Sequence, residues 1–405
     1  MKLLVSAYAC EPGKGSEPAV GWNWVLALVR RGYQVHVLTR TNNRESIEAH
    51  PANRHPALRF HYYDLPRWMR AWKRRPGGIY FYYLFWQIGA YRLARGLHAV
   101  ERFDRVHHVT FASYRQPSFM GGLGIPFIFG PAGGGETMPA ALRSGLAWRN
   151  GLAEAIRNAG NRLLWLDPLM RSTFSKAEVI ACTTAETMAR VPAAFREKCV
   201  VQLAIGIAEE EIQRKTGNAP AAPHFLFVGR LIYWKGLQLA FRALAQARRS
   251  LPDIKLKIIG TGEDRGWLEA QARAAEVTDL LEWVSSTPHA EMAREYARSL
   301  ALVFPSLHDS GGMVVLEALA AGLPVICLDL GGPGTIATPD CAIAVPARQS
   351  GEASIVEALR NAMIRIATDP AFRARLAGNA ANRAKQLTWD RAADHLYARF
   401  DRQEP

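Results

Sequence analysis

The stretch LVFPSLHDSGGMVVLEALAAGLPVICLDLGG, residues 302–332, runs from an apolar segment through a glycine-bearing loop into a helical pattern and back to a second apolar segment. Both apolar segments are too short for helices and too continuous for strands with one wet face. They read as parallel strands covered on both sides and joined by a helix. The entrance to that helix is unusual. Asp309 and Ser310 stand where capping residues belong, yet Gly311 and Gly312 follow where better helix formers were available. Two glycines leave the first-turn amides uncovered, so a phosphate can approach the backbone closely. Glu317 is a lone carboxylate in an apolar run, and burying it unpaired is costly, so it should face a polar ligand or partner. Asp309 and Glu317 are eight residues apart. On an ideal helix that spacing turns about 80°, which keeps both acids on one broad side.

The same alternation extends outward in both directions. Strand-length apolar runs occupy residues 2–9, 33–39, 105–111, 126–135 and 178–184, then 225–230, 255–260, 280–285, 300–306 and 324–330, with 341–346 as an edge strand. Helical patterns separate most of them, beginning with residues 19–31, which Gly32 closes. This rhythm predicts an α/β chain with parallel sheets. It pauses at residues 209–224, which read as an interdomain connection. The expected organisation is an N-terminal domain over 1–206, a C-terminal domain over 207–385, and a final helix in 386–405 packing back on the N-terminal domain. A length of 405 residues favours two domains, since single cores stop growing well below it.

Composition excludes several classes. With 49% apolar and 21% charged residues the chain is ordinary globular material, and no apolar run approaches a membrane-spanning length. The N-terminal MKLLVSAYACEPG has too short an apolar run for a signal peptide and reads as a first strand. The five cysteines, Cys10, Cys182, Cys199, Cys327 and Cys341, are scattered and form no CxxC pair, as expected of free thiols in a reducing cytoplasm. A net charge of +14 asks for an anionic partner: nucleic acid, a membrane surface or a phosphorylated substrate. Arg67, Arg70, Lys73, Arg74 and Arg75 precede the aromatic cluster IYFYYLFW, residues 79–86. Basic side chains beside aromatics fit a surface resting on anionic phospholipid headgroups. No compact nucleic-acid recognition motif accompanies the charge.

In open parallel sheets ligands bind beyond the carboxyl ends of the strands, so the loops there carry the chemistry. VGRLIYWKG, residues 228–236, places Arg230 at a strand end and Lys235 at the start of the next helix. A cation there opposes the helix dipole, unless a bound anion such as a diphosphate supplies the missing charge. GKGSE, residues 13–17, follows the first strand, but it is neither a Walker loop nor a GxGxxG fingerprint. His107 and His108 close another strand, and FGPAGGGE, residues 129–136, either faces a substrate or simply turns the chain.

The stretch 302–332 resembles the C-terminal signature of retaining glycosyltransferases of family 4, whose pattern is a glutamate, seven residues and a second glutamate. VGRLIYWKG, IIGTGEDRGWL (258–268) and TWDRAADHLYARF (388–400) match in order and spacing. The resemblance covers most of the chain and is strongest from Phe225 onward. It implies the GT-B fold, two doubly wound Rossmann-like domains facing a central cleft, with the acceptor side N-terminal and the nucleotide sugar C-terminal. In this chain the first acid is Asp309, one methylene shorter than glutamate.

Carried over, the resemblance implies that Arg230 and Lys235 neutralise the donor diphosphate and that the amides of Gly311, Gly312, Met313 and Val314 hold the same group. Glu317 would bind the ribose, Asp309 the transferred sugar, Gly262 and Glu263 the nucleoside, and Gly15 the donor phosphates. His107 or His108 would lie near the reacting sugar. The expected activity is metal-independent hexosyl transfer with retention, from a nucleotide-diphosphate sugar as substrate and with no cofactor. The acceptor would be a glycan, such as one linked to polyprenyl diphosphate, in bacterial surface polysaccharide synthesis. The expected location is the cytoplasm, peripheral at the inner face of the membrane. The rivals are a nucleotide-sugar epimerase of the same fold and a basic nucleic-acid-binding protein.

Overall fold

A computed structural model describes residues 1–70, 78–143, 146–212 and 224–401. The first sheet holds seven parallel strands: β1 (Lys2–Ala7), β2 (Gln34–Thr39), β3 (Leu58–Tyr62), β4 (Arg105–Thr110), β5 (Phe127–Ala132), β6 (Val179–Cys182) and β7 (Cys199–Val201). Their order is β3-β2-β1-β4-β5-β6-β7. The second holds β8 (His224–Val228), β9 (Lys255–Ile259), β10 (Leu281–Val284), β11 (Leu302–Phe304), β12 (Val325–Leu328) and β13 (Ala342–Val345). Their order is β10-β9-β8-β11-β12-β13, again parallel throughout. Both sheets are doubly wound. In each, the direction of winding reverses once, between β1 and β4 and between β8 and β11. Such reversals are where connections leave toward opposite faces and open a crevice at the strands' carboxyl ends.

Central strands are buried along their whole length, which is why they read as unbroken apolar runs. Edge strand β3, LRFHY, is only half-buried, and β7 has three residues, so neither carries that signal. All five cysteines are free.

Two compact units result. The first comprises Met1–Gly135, Ala159–Ile205 and the helix from Trp389; the second comprises Glu136–Asn158 and Gly206–Thr388. A boundary drawn at residue 206 alone therefore misses that residues 136–158, which follow the first unit's β5, pack with the second. In the first unit, helix Trp389–Asp401 lies on helix Glu17–Arg30, with an Arg30–Asp390 ion pair at 2.8 Å. Residues 213–223 of the connection read at 209–224 lie outside the described residues.

The basic and aromatic segment divides on inspection. Arg67–Arg70 is a short helix with Trp68 exposed, while Lys73, Arg74 and Arg75 lie outside the described residues. The cluster at 79–86 opens helix Gly78–Glu101. Tyr82, Tyr83 and Trp86 are core, and Tyr80, Phe81 and Phe85 face outward. Only half of the aromatics read as a lipid-facing surface are thus available to one. No described helix is long and apolar enough to cross a membrane.

Candidate functional site

The loops flanking the β8/β11 reversal carry the second unit's unusual chemistry. After β8 the chain makes a tight turn at Tyr233–Lys235, and Gly236 opens helix Leu237–Ala247 in a left-handed conformation. Lys235 therefore precedes this helix rather than beginning it. Its ammonium is ion-paired with the carboxylate of Asp309 from the loop after β11, both side chains being largely buried. The anion that Lys235 asks for is thus supplied within the chain. Its Nζ also lies 4.8 Å from the centre of the Phe304 ring, a cation–π contact.

Asp309 does not cap the helix that follows, contrary to the sequence expectation. Its Oδ1 accepts from the amide of Gly311 at 3.1 Å, closing a local turn that takes this amide out of reach of a ligand. Gly312, at φ 80°, is the N-cap of helix Met313–Ala320, and among the described residues no side chain caps it, neither Asp309 nor Ser310. The amides of Met313 and Val314 belong to a first turn, which has no intrahelical acceptors. Uncapped first-turn amides of this kind are donors that suit an anion. Because Asp309 precedes the helix, the 80° helical relation between it and Glu317 does not hold.

The next loop explains why this one can be so tight. The amide of Gly332, after β12, donates to the carbonyl of Asp309 at 2.7 Å. A Cβ on Gly331, whose φ is 57°, would lie 2.2 Å from that carbonyl oxygen, and one on Gly332 would lie 2.3 Å from the carbonyl oxygen of Gly311. Two glycine pairs therefore stack backbone on backbone. The loop after β9 is stitched in similarly: the amide of Tyr233 donates to Asp264 at 2.8 Å, and a Cβ on Gly262 would lie 2.2 Å from the carbonyl oxygen of Leu231. Glu263 pairs with Arg230 at 3.1 Å, but both are well exposed, so the pair contributes little stability.

Glu317 is half-buried, and its Oε2 accepts from the hydroxyl of Tyr296 at 3.0 Å. Burial and then the Glu317 charge push the Tyr296 hydroxyl far above its usual range. The carboxylate lines a cavity of about 270 Å³ with Tyr296, Met292, Glu210, Glu211 and Ala321.

A buried polar network that sequence reading missed stands beside Lys235 and Asp309. Glu154 Oε1 accepts from the Tyr233 hydroxyl at 2.9 Å and from His308 Nε2 at 2.7 Å. Arg157 donates to His308 Nδ1 at 2.6 Å, and Trp234 stacks on the imidazole at 5.5 Å. Burial lowers the His308 pKa despite the carboxylate, so a neutral ring carrying its proton on Nε2 satisfies both neighbours. Burial raises Glu154, but the His308 and Tyr233 hydrogen bonds and the Arg157 charge outweigh it and hold the carboxyl below its usual range. Glu154 and Arg157 sit on helix Trp148–Leu163. A lone acid in that helix is the only sequence trace of the network.

The first unit's candidates fare differently. His107 is fully buried in β4, with Nε2 on the carbonyl of Gly130 at 2.7 Å and Nδ1 on the hydroxyl of Tyr397 at 2.8 Å. His108 is equally buried, bonded to the Tyr83 hydroxyl at 2.9 Å and facing Gln87. Both rings have their nitrogens hydrogen-bonded within the core, whereas the sequence reading set one of them beside a reacting sugar. Gly15 lies in the exposed loop after β1, where a Cβ would meet nothing within 4 Å. Gly134, at φ 101°, and Gly135, whose amide donates to Thr187 at 3.1 Å, turn and pack the chain. Among the described residues no three His, Cys, Asp or Glu side chains form a metal-ligand group.

Known proteins share this architecture. Anabaena Alr3699/HepE, in complex with UDP and glucose, superposes with a TM-score of 0.60 at 14% identity, covering 100% of both chains. The fold is GT-B, two Rossmann-like domains. A glycogen synthase of Mycobacterium tuberculosis is 39% identical over 121 residues, which are 30% of this chain and 29% of the relative. A D-inositol 3-phosphate glycosyltransferase of Actinosynnema mirum is 29% identical over 200 residues, 47% of this chain and 46% of the relative. The chain thus spans less than half the length of either relative. Residues 208–383, which contain every loop described here from Arg230 to Gly332, match the family model described as Glycosyl transferases group 1.

Proposed function

We propose that this chain is a retaining glycosyltransferase of family 4 that moves a hexose from a nucleotide-diphosphate sugar to a glycan acceptor. The observation that carries this reading is the Lys235–Asp309 pair set beside an uncapped helix N-terminus at a sheet reversal. A diphosphate carries more negative charge than one carboxylate, so it competes for Lys235 and frees Asp309 to meet the transferred sugar. Arg230 and the amides of Met313 and Val314 complete the anion site, and Glu317 meets the ribose. In the reaction the bond from C1 to the diphosphate oxygen breaks. The site's positive groups stabilise the charge that develops on the leaving group. The acceptor oxygen then bonds C1 from the same face, and its proton passes to a phosphate oxygen. Charge neutralisation by Lys235, Arg230 and amides makes this route independent of metal and of cofactor.

The UDP–glucose complex of the Anabaena neighbour supports a sugar nucleotide as donor. The +14 charge and the outward Trp68, Tyr80, Phe81 and Phe85 support a lipid-linked acceptor, such as a polyprenyl-diphosphate glycan in surface polysaccharide synthesis. They also support a peripheral site at the inner face of the cytoplasmic membrane. Thermal-shift binding across UDP, GDP, ADP and dTDP, with Lys235→Ala as control, tests the donor site. Isomerisation of a donor in the absence of any acceptor would instead identify an epimerase, and an inverted product anomer would remove the retaining mechanism.

A further inference from the structure

Helix Trp148–Leu163 is amphipathic in the opposite sense from most surface helices. Its buried face is polar: Glu154 and Asn161 are almost inaccessible, and Glu154 and Arg157 make the network around His308. Its apolar residues face outward, with Trp148 77%, Leu152 54%, Ile156 65% and Leu163 58% exposed. At about 100° per residue these four fall within an arc of about 80°. Arg149 and Arg162, both exposed, fall on either side of that arc. The helix has one acid, Glu154, and it points inward. Leu166 and Leu169, also exposed, follow directly in sequence.

Exposed contiguous apolar side chains need a reason. A second copy of this chain would bring Arg149 and Arg162 against their own kind, on a protein already at +14. An anionic bilayer answers both features: acyl chains take the apolar stripe, and headgroup phosphates take the arginines on its two edges. We propose that helix Trp148–Leu163 is a membrane-docking helix that lies in the interface of an anionic bilayer. This rests on the peripheral part of the function proposed above, but on residues distinct from Trp68, Tyr80, Phe81 and Phe85.

The helix is fastened from behind by polar bonds rather than by an apolar core. Replacing its outward leucine and isoleucine therefore leaves the packing intact, and the surface can be altered without unfolding it.

The test is co-sedimentation of the full chain with vesicles of phosphatidylglycerol and phosphatidylcholine in equal parts, and with phosphatidylcholine alone. The wild type binds the anionic vesicles. The Leu152→Asp/Ile156→Asp double variant binds them roughly tenfold more weakly or worse, as does Arg149→Glu/Arg162→Glu. Both variants keep the wild-type thermal shift with nucleoside diphosphate, which shows an intact fold and donor site. Unchanged vesicle binding in both variants overturns the proposal. If binding is instead lost on replacing Phe81 and Phe85 alone, the peripheral reading stands and this helix is not its anchor. If no form binds vesicles, both fall. Concentration-dependent self-association of the wild type that Leu152→Asp/Ile156→Asp abolishes, with vesicle binding unaffected, would assign the face to a second copy.

Discussion

The ammonium of Lys235, on the loop after β8, is paired with the carboxylate of Asp309, on the loop after β11, across the point where the second sheet reverses. Each residue holds the charge the other would otherwise leave unmatched. A diphosphate entering here must take Lys235 from Asp309.

Removing either partner therefore has opposite effects on nucleotide binding. Asp309→Asn deletes the competitor, so nucleoside diphosphate should bind about threefold or more tightly while sugar transfer falls by about tenfold or more. Lys235→Ala deletes the cation, and binding should weaken roughly tenfold to a hundredfold, the range for a charge-assisted hydrogen bond. Calorimetric titration reads both. Weaker binding on Asp309→Asn would show that the carboxylate supports the phosphate site instead of occupying its cation.

The stacked glycines make a stability prediction. Gly331→Ala puts a Cβ against the carbonyl oxygen of Asp309 at a positive φ, so it should cost about 1–3 kcal/mol and weaken nucleotide binding as well. Gly378→Ala, in the exposed interior of helix Pro370–Lys385 with nothing within 4 Å, should instead stabilise by about 0.5–1 kcal/mol. Urea midpoints compare the two, and equal shifts would contradict the close approach.

Much of the fold is legible in sequence because most strands are covered on both faces and read as apolar runs. β3 escapes because LRFHY is a half-wet edge, and β7 because three residues carry no period. Arg230, Lys235 and Asp309 are visible because each follows the carboxyl end of a strand, where open parallel sheets bind ligands, and the strand order then sets the ends of β8 and β11 side by side. Glu154 is barely visible: its contact with His308 joins residues 154 apart in sequence, and locally it shows only as a lone acid in its helix. Helix Trp148–Leu163 keeps a helical period, but the period alone does not tell that its apolar stripe faces out. His107 and His108 show the reverse: the sequence reading put them at a strand end, but they lie in the middle of β4 with their ring nitrogens hydrogen-bonded in the core.

Acid should destabilise the first unit well before its carboxylates protonate. Burial first, only partly offset by the Gly130 carbonyl, pushes His107 down to about 4, and burial with the neighbouring His107 pushes His108 down to about 3, from 6.5. Between these values and 6.5 the unfolded chain binds protons that the folded core refuses. Stability is therefore greatest above about 6.5 and falls as pH drops, by up to roughly 1.4 kcal/mol per pH unit for each ring. Urea midpoints at pH 7 and pH 5 measure the fall, and His107→Gln should remove that ring's share of it while His108 keeps its own. A midpoint independent of pH over this range would contradict the buried, neutral assignment.

The same geometry separates His107 from the chemistry. His107→Gln should keep the turnover of its folded fraction within about threefold of wild type, because the ring's two nitrogens bond the Gly130 carbonyl and the Tyr397 hydroxyl. A loss of about a hundredfold with binding and folding intact would place the ring at the reacting sugar after all.

The most direct measurement is a crystal structure of the chain soaked with nucleoside diphosphate. Phosphate density should lie against Lys235 Nζ and the amides of Met313 and Val314, with Asp309 released from Lys235 and Glu317 at the ribose. Phosphates bound elsewhere, with the Lys235–Asp309 pair still closed, would contradict the assignment of this site.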